Sequence, residues 1–240
     1  VYRRFVDESK LVWDRPEPPQ RPSPTPLSRD MIVQAAIRLA DADGMEAVSL
    51  RKVAADLNAG PMRLYGYMST KDELLDLMVD AVFGEIPLTD PGLPWRASLT
   101  SLAHGIRTAV LRHEWLADLL GGRPNLGPHT LAYVEASLAA LYASFGDIDT
   151  AMHVSSTVNA YVVGAVKAEI TDLHVERISG RTEQQWQTWA GPYLSRLIAT
   201  GEFPTLAKVV EDATHPDADT LFDIGLGYVL DGIATRVNSG

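Results

Sequence analysis

The side chains with most to offer chemically lie in one stretch, Pro61-Met62-Arg63-Leu64-Tyr65-Gly66-Tyr67-Met68-Ser69-Thr70-Lys71. A guanidinium suits the paired acceptors O6 and N7 of guanine, and phenols reach phosphates or base edges. An ammonium at a helix N-terminus joins backbone N–H groups that attract phosphate. At helical spacing Leu64 and Met68 face one side as an anchor, while Arg63, Tyr67 and Lys71 fall on another. Those types in that order suit a surface that touches nucleic acid.

Catalytic patterns fail on inspection. His113-Glu114 is followed by Ala117 where a zinc-binding H-E-x-x-H needs a second histidine. Gly225-x-Gly227 has Leu230 in place of the third glycine of a dinucleotide loop, and no strand is expected before it. Asp41-x-Asp43 lacks the rest of a calcium loop, and Asp217 and Asp219 read as a solvated helix start. With no cysteine there is no thiolate metal site, disulfide or cysteine nucleophile. The expectation is a protein without catalytic residues, metal or cofactor.

Charge is divided unevenly over the 240 residues, whose net charge is −10. Residues 1–71 carry 11 Lys and Arg against 9 Asp and Glu, and residues 72–240 carry 10 against 22. A mildly basic head on an acidic body suits a small DNA-contacting module, because phosphate responds to the local field. Apolar runs are short and broken by charge, as where Lys167 ends Tyr161 to Val166, so no membrane span is expected. Arg3, Arg4, Asp7, Glu8 and Lys10 stand where a secretory signal needs an apolar core, so the expected location is cytoplasmic.

The elements that must position these residues read as helices throughout, which makes the class all-α: a three-helix N-terminal helix-turn-helix unit and a larger helical domain. Residues 16–26 hold six prolines in eleven positions and read as an extended arm. Ser28 caps a helix bearing Ile32, Ala35, Ala36, Leu39 and Ala40 that stops at Gly44. Ser49 caps a second, with Leu50, Val53, Ala54 and Leu57, and Pro61 opens a third that runs through Met68. Thr70-Lys71-Asp72-Glu73 has capping-box form and starts a longer helix toward Pro87. Further helices follow from Trp95, from Trp115 to Leu120, and along the stripe Leu131, Val134, Leu138, Leu141, Tyr142 and Phe145. Others are expected over about 148–178, 183–198 and 219–237. The segments expected are a 1–26 arm, a 27–73 helix-turn-helix unit and a 74–240 helical body.

Residues 27–75 resemble the DNA-binding domain of the TetR family of bacterial transcriptional repressors. The resemblance rests on Val53-Ala54-Ala55-Asp56-Leu57, Leu64-Tyr65 and Lys71-Asp72-Glu73-Leu74-Leu75 at the family's spacing. It implies that Arg51, Met62, Arg63, Gly66 and Tyr67 approach bases and that Ser49, Tyr65 and Lys71 hold phosphates. Asn58 replaces the usual turn glycine, and tolerates a left-handed backbone. Gly66 offers no side chain where many members carry one, which leaves specificity to Arg51, Arg63 and Tyr67.

Trp95, the His113-Glu114-Trp115-Leu116 and Gly122-Arg123-Pro124 stretches and Phe222-Asp223-Ile224-Gly225-Leu226 resemble the family's tetracycline-repressor-type effector domain. The resemblance implies that 27–73 is a DNA-binding domain and 74–240 an effector-binding and dimerisation domain, with a homodimer through helices near 148–178 and 219–237, a double-stranded DNA operator and a small-molecule effector. The small and β-branched Ala151, Ser155, Thr157, Val158, Val162 and Ala165 fit close packing between subunits or against their own core. The pocket candidates the family implies are Trp95, His104, Arg107, Trp115, Arg123, Tyr133, Met152, Asn159, Trp186 and Trp189. The chain's tryptophans favour an aromatic, planar ligand, and family habit points to an antibiotic-like molecule and an efflux or resistance gene. His104 is the candidate for a magnesium-chelated effector. The arm is either a passive tether or a minor-groove probe through Arg15 and Arg21. The alternative to a repressor is an α-helical small-molecule binder or enzyme without DNA affinity.

Overall fold

Short polar side chains that accept orphan backbone N–H groups set where several helices begin. In the computed structural model, which describes residues 10–19, 26–122 and 124–237, Ser28 accepts Met31 N–H at 3.1 Å and starts α1, Arg29–Asp43. Ser49 accepts Lys52 N–H at 3.2 Å and starts α2, Leu50–Asp56. Pro61 opens α3, Pro61–Leu64. Thr70 accepts Glu73 N–H at 3.1 Å and starts α4, Lys71–Phe83. The Glu73 carboxylate bonds back to the N–H of Ser69, not of Thr70. Between α2 and α3, Asn58 takes the left-handed conformation, with φ of 50°.

The body contains α5, Trp95–Arg112, α6, Leu116–Leu119, α7, Pro128–Phe145, α8, Ile148–Ser179, and α11, Ala218–Val237. The helices α5, α7 and α11 pack around α8, whose inward face is Ala151, Val154, Val158, Val162, Val166 and Ile170. Of the small and β-branched residues expected either between subunits or in the core, Ala151, Val158 and Val162 face their own core. Gly225 lets α11 approach α8, since a Cβ there would lie 2.3 Å from the Tyr161 hydroxyl. That hydroxyl donates to the Phe222 carbonyl at 2.8 Å. Two further helices, α9, Glu183–Ile198, and α10, Pro204–Asp212, pack on each other and contain no buried residue. Among the described residues no strand occurs, and no helix is long and apolar enough to cross a membrane.

Three expectations are corrected. The third helix stops at Leu64 because the chain tightens into i+3 bonds, Gly66 N–H to Arg63 and Tyr67 N–H to Leu64. On α7 the stripe is turned: Thr130, Ser137 and Leu141 are buried, while Leu131, Val134 and Tyr142 are exposed. The helix α10 is additional to those expected.

Candidate DNA-reading head and effector domain

The head is α1 to α3 with the first turns of α4. Leu64 and Met68 are fully buried, as an anchor requires, and they leave Met62 and Tyr65 exposed and Arg63 partly exposed. Arg51 on α2 and Lys71 at the start of α4 are also exposed. The Ser49 hydroxyl accepts the α2 cap bond through a lone pair, so its hydrogen remains able to donate.

Three expected DNA contacts are placed elsewhere. The tightened turn carries Tyr67 inward, and its hydroxyl donates to the Leu27 carbonyl at 2.6 Å. Burial pushes that phenol's pKa up, so it stays a neutral donor. Gly66 faces Pro18, whose Cγ would lie 3.3 Å from a Cβ at this position. Arg15 is buried, donating to Ser69 Oγ at 2.8 Å and paired with Glu73, so it does not point outward as a groove probe would. Arg21 lies outside the described residues, as does Arg123 of the pocket set.

Two polar joints couple the head to the body. At the α5–α6 corner, Trp115 Nε1 donates to Asp41 of α1 at 2.7 Å, and His113 Nδ1 lies 2.8 Å from the same carboxylate oxygen. His113 Nε2 faces Glu85 at 3.3 Å, and Arg112 pairs with Glu85 at 3.0 Å. Deeper in, Asp80 of α4 is 3% exposed and accepts Thr130 N–H at 2.8 Å and Thr130 Oγ1 at 3.1 Å. It thereby caps α7, which begins at Gly127-Pro128 without a capping side chain of its own. Neither joint was foreseen. An acid on the inward face of α4 was the one available signal for Asp80, whereas Asp41 and Trp115 are too far apart in the chain to suggest each other.

The described pocket candidates sit in several different surroundings. Trp115 is buried in the head–body joint and lines a cleft of about 460 Å³ with Asp41, Met45, Arg112, His174 and Arg177. Arg107 is buried but committed: it binds Glu169 bidentately at 2.7 and 2.8 Å and Asp219 at 2.6 Å. Those carboxylates, Glu169 first, raise its pKa above the ordinary value. His104 pairs with Asp223 at 2.9 Å and meets the Phe222 ring edge-on. Trp95 stacks at a tilt on Phe145, and Tyr133 packs edge-to-face on Phe83 with its phenol pKa raised by burial. Met152, Asn159, Trp186 and Trp189 lie exposed on α8 and α9.

Residues 32–78 match the family described as bacterial regulatory proteins, tetR family, and residues 87–237 match the tetracyclin repressor-like C-terminal domain. The chain belongs to the TetR family. TetR-family regulators are DNA-binding transcriptional repressors that respond to ligands, not enzymes, which removes the alternative of an enzyme without DNA affinity. Among its relatives is the HTH-type transcriptional repressor DrrR1 of Streptomyces coeruleorubidus, 39% identical over 95% of this chain and 85% of that protein. An HTH-type transcriptional regulator of Saccharopolyspora erythraea is 37% identical over 93% and 91%. The Streptomyces coelicolor TetR family protein ActR, solved in complex with actinorhodin, superposes with a TM-score of 0.75 at 26% identity, covering 88% of this chain and 96% of that one.

Proposed function

We propose that this TetR-family repressor binds a palindromic operator as a homodimer in the cytoplasm, and that a small aromatic, antibiotic-like molecule releases it from an efflux or resistance gene. The reading head is Arg51, Met62 and Arg63 at the bases, with Ser49, Tyr65 and Lys71 on phosphates, in a DNA-binding domain of residues 27–73. One observation carries this: the outer side of α2, α3 and the α4 start bears exposed cationic and phenolic side chains over a fully buried anchor, on a chain otherwise acidic. The dimer is supported by α11, which has two apolar faces. Phe222, Leu226 and Leu230 are buried in its own core, and Leu221, Ile224 and Tyr228 are exposed at helical spacing. The ligand class is supported by the aromatic side chains of the body and by the ActR complex.

A gel shift with the DNA flanking the chain's own gene, against excess nonspecific DNA at about 150 mM salt, tests the reading, since weak backbone attraction is then largely screened. A discrete shift lost in an Arg63→Ala, Lys71→Ala variant, and released by a polycyclic aromatic probe such as actinorhodin, is expected. No shift on that DNA or on a randomised duplex pool overturns it.

A further inference from the structure

The proline-rich arm is laced to three helices of the head. Val12 is buried, and Trp13 packs against the core beside it. The Arg15 guanidinium, with 6% of its side chain exposed, bonds Ser69 and pairs with Glu73, whose Oε2 also accepts Ser69 N–H at 2.6 Å. Arg29, the first residue of α1, donates from its side chain to the Arg15 carbonyl at 2.8 Å. Its backbone N–H is accepted by Glu17 at 3.1 Å. Pro18 lies over Gly66, where an added Cβ would sit 3.3 Å from both Pro18 Cγ and the Arg63 carbonyl, tighter than ordinary contact. The arm therefore touches the start of α1, the turn after α3 and the start of α4. Its prolines reduce the entropy lost in holding an extended segment there.

We propose that residues 11–18 are a fixed part of the reading head, with Arg15 and Pro18 as positioning residues for the α3–α4 corner that carries Tyr65 and Lys71. A Cβ at position 66 would press on Pro18, and the strap would have to give by a few tenths of an ångström to admit it. The glycine thus lets the strap lie close on the head. This rests on the assignment of α2 to α4 as the DNA-reading surface. It makes Arg15 act through Ser69 and Glu73 instead of touching DNA itself.

The test uses the full chain and three variants, Arg15→Ala, Glu73→Gln and Gly66→Ala, each checked for helix content by circular dichroism. The first readout is amide hydrogen exchange without DNA. Faster exchange in residues 11–18 and at Ser69 in the Arg15→Ala protein is expected, and unchanged exchange there overturns the docking. The second is affinity for a duplex selected by the unaltered protein from a random pool, measured over a range of salt. Arg15→Ala should weaken binding about three- to tenfold, the size seen for residues acting through a packed network. It should leave the slope of log affinity against log salt unchanged, whereas loss of a direct phosphate contact lowers that slope by about one. Glu73→Gln is decisive in sign. Removing a negative charge beside Lys71 should tighten DNA binding on electrostatics alone, but loosening the strap should weaken it. Gly66→Ala should weaken binding in the unaltered background and cost less once Arg15→Ala has freed the arm. A lowered salt slope for Arg15→Ala, or tighter binding by Glu73→Gln, overturns the proposal. If the unaltered protein selects no duplex, the DNA reading itself fails, and amide exchange still reports separately whether the arm is docked.

Discussion

Replacing Asp80 with alanine should be among the most damaging single changes in the body, and its cost follows from what the carboxylate holds. It accepts the N–H and the hydroxyl of Thr130, itself buried, and lies 3.0 Å from His129 Nδ1. Losing the cap on α7 costs about 1 kcal/mol. Stranding the Thr130 hydroxyl costs about 1–2 kcal/mol more, the low side of the range because water enters the vacated polar space. His129 adds little, because its side chain is 58% exposed and turns to solvent. The sum is about 2–3 kcal/mol, which for a chain of this size lowers Tm by about 5–10 °C. Asp80→Asn keeps an acceptor for Thr130 and should lose about 1 kcal/mol, chiefly the charge at the helix N-terminus. Differential scanning calorimetry at one fixed protein concentration reads both, since Tm of a dimer depends on concentration. An alanine variant melting within about 2 °C of the unaltered protein, or an asparagine variant as damaged as the alanine one, would refute the cap argument.

Arg107→Met should lose about 3 kcal/mol by stranding Glu169, and adding Glu169→Leu should recover most of it, because an apolar pair replaces a buried ion pair at little cost. Urea unfolding of the two variants checks this, and a double variant no better than the single one counts against it. Glu114 is held below its ordinary pKa of 4.5, chiefly by its hydrogen bond to Arg177, then by His174. A depressed carboxylate pKa stabilises the fold above the unfolded value and loses that contribution as pH falls through the folded one. Glu114→Gln should therefore flatten the fall in stability on the acid side of that value, as read from Tm against pH. Tyr228→Glu places a charge on the exposed apolar face of α11 and should shift the protein toward monomer in sedimentation velocity without unfolding it.

The helices were legible where caps and periodicity agreed. Ser28, Ser49 and Thr70 mark the true starts of α1, α2 and α4, and Leu99, Leu102, Ala103, Ile106 and Val110 are all buried on α5. Periodicity misled on α7, because an apolar stripe has the same spacing whether it faces the core or the outside, and here Leu131, Val134 and Tyr142 are exposed. Uninterrupted α-helix from Arg63 puts Tyr67 on the outer face. Two i+3 bonds change the rotation per residue and turn it inward. The pairings that commit Arg107 and Arg15, to Asp219 and to Glu73 at their longest, reach across 112 and 58 residues, so no local signal carried them.

The head is pinned to the body at two places, where Asp41 of α1 meets the α5–α6 corner and where α4 runs on to Asp80. A rigid piece held at two points keeps a single rotation, about the line joining them. From the pin at Asp80 to Lys71, α4 makes an arm of about 14 Å, so a turn of about 5° about that pin carries the Lys71 end by about 1.2 Å. That exceeds the tolerance of a hydrogen bond to phosphate. In the dimer proposed above the two tips would diverge or converge together, so one small angle, set far from the DNA, would decide whether both sit in the duplex at once.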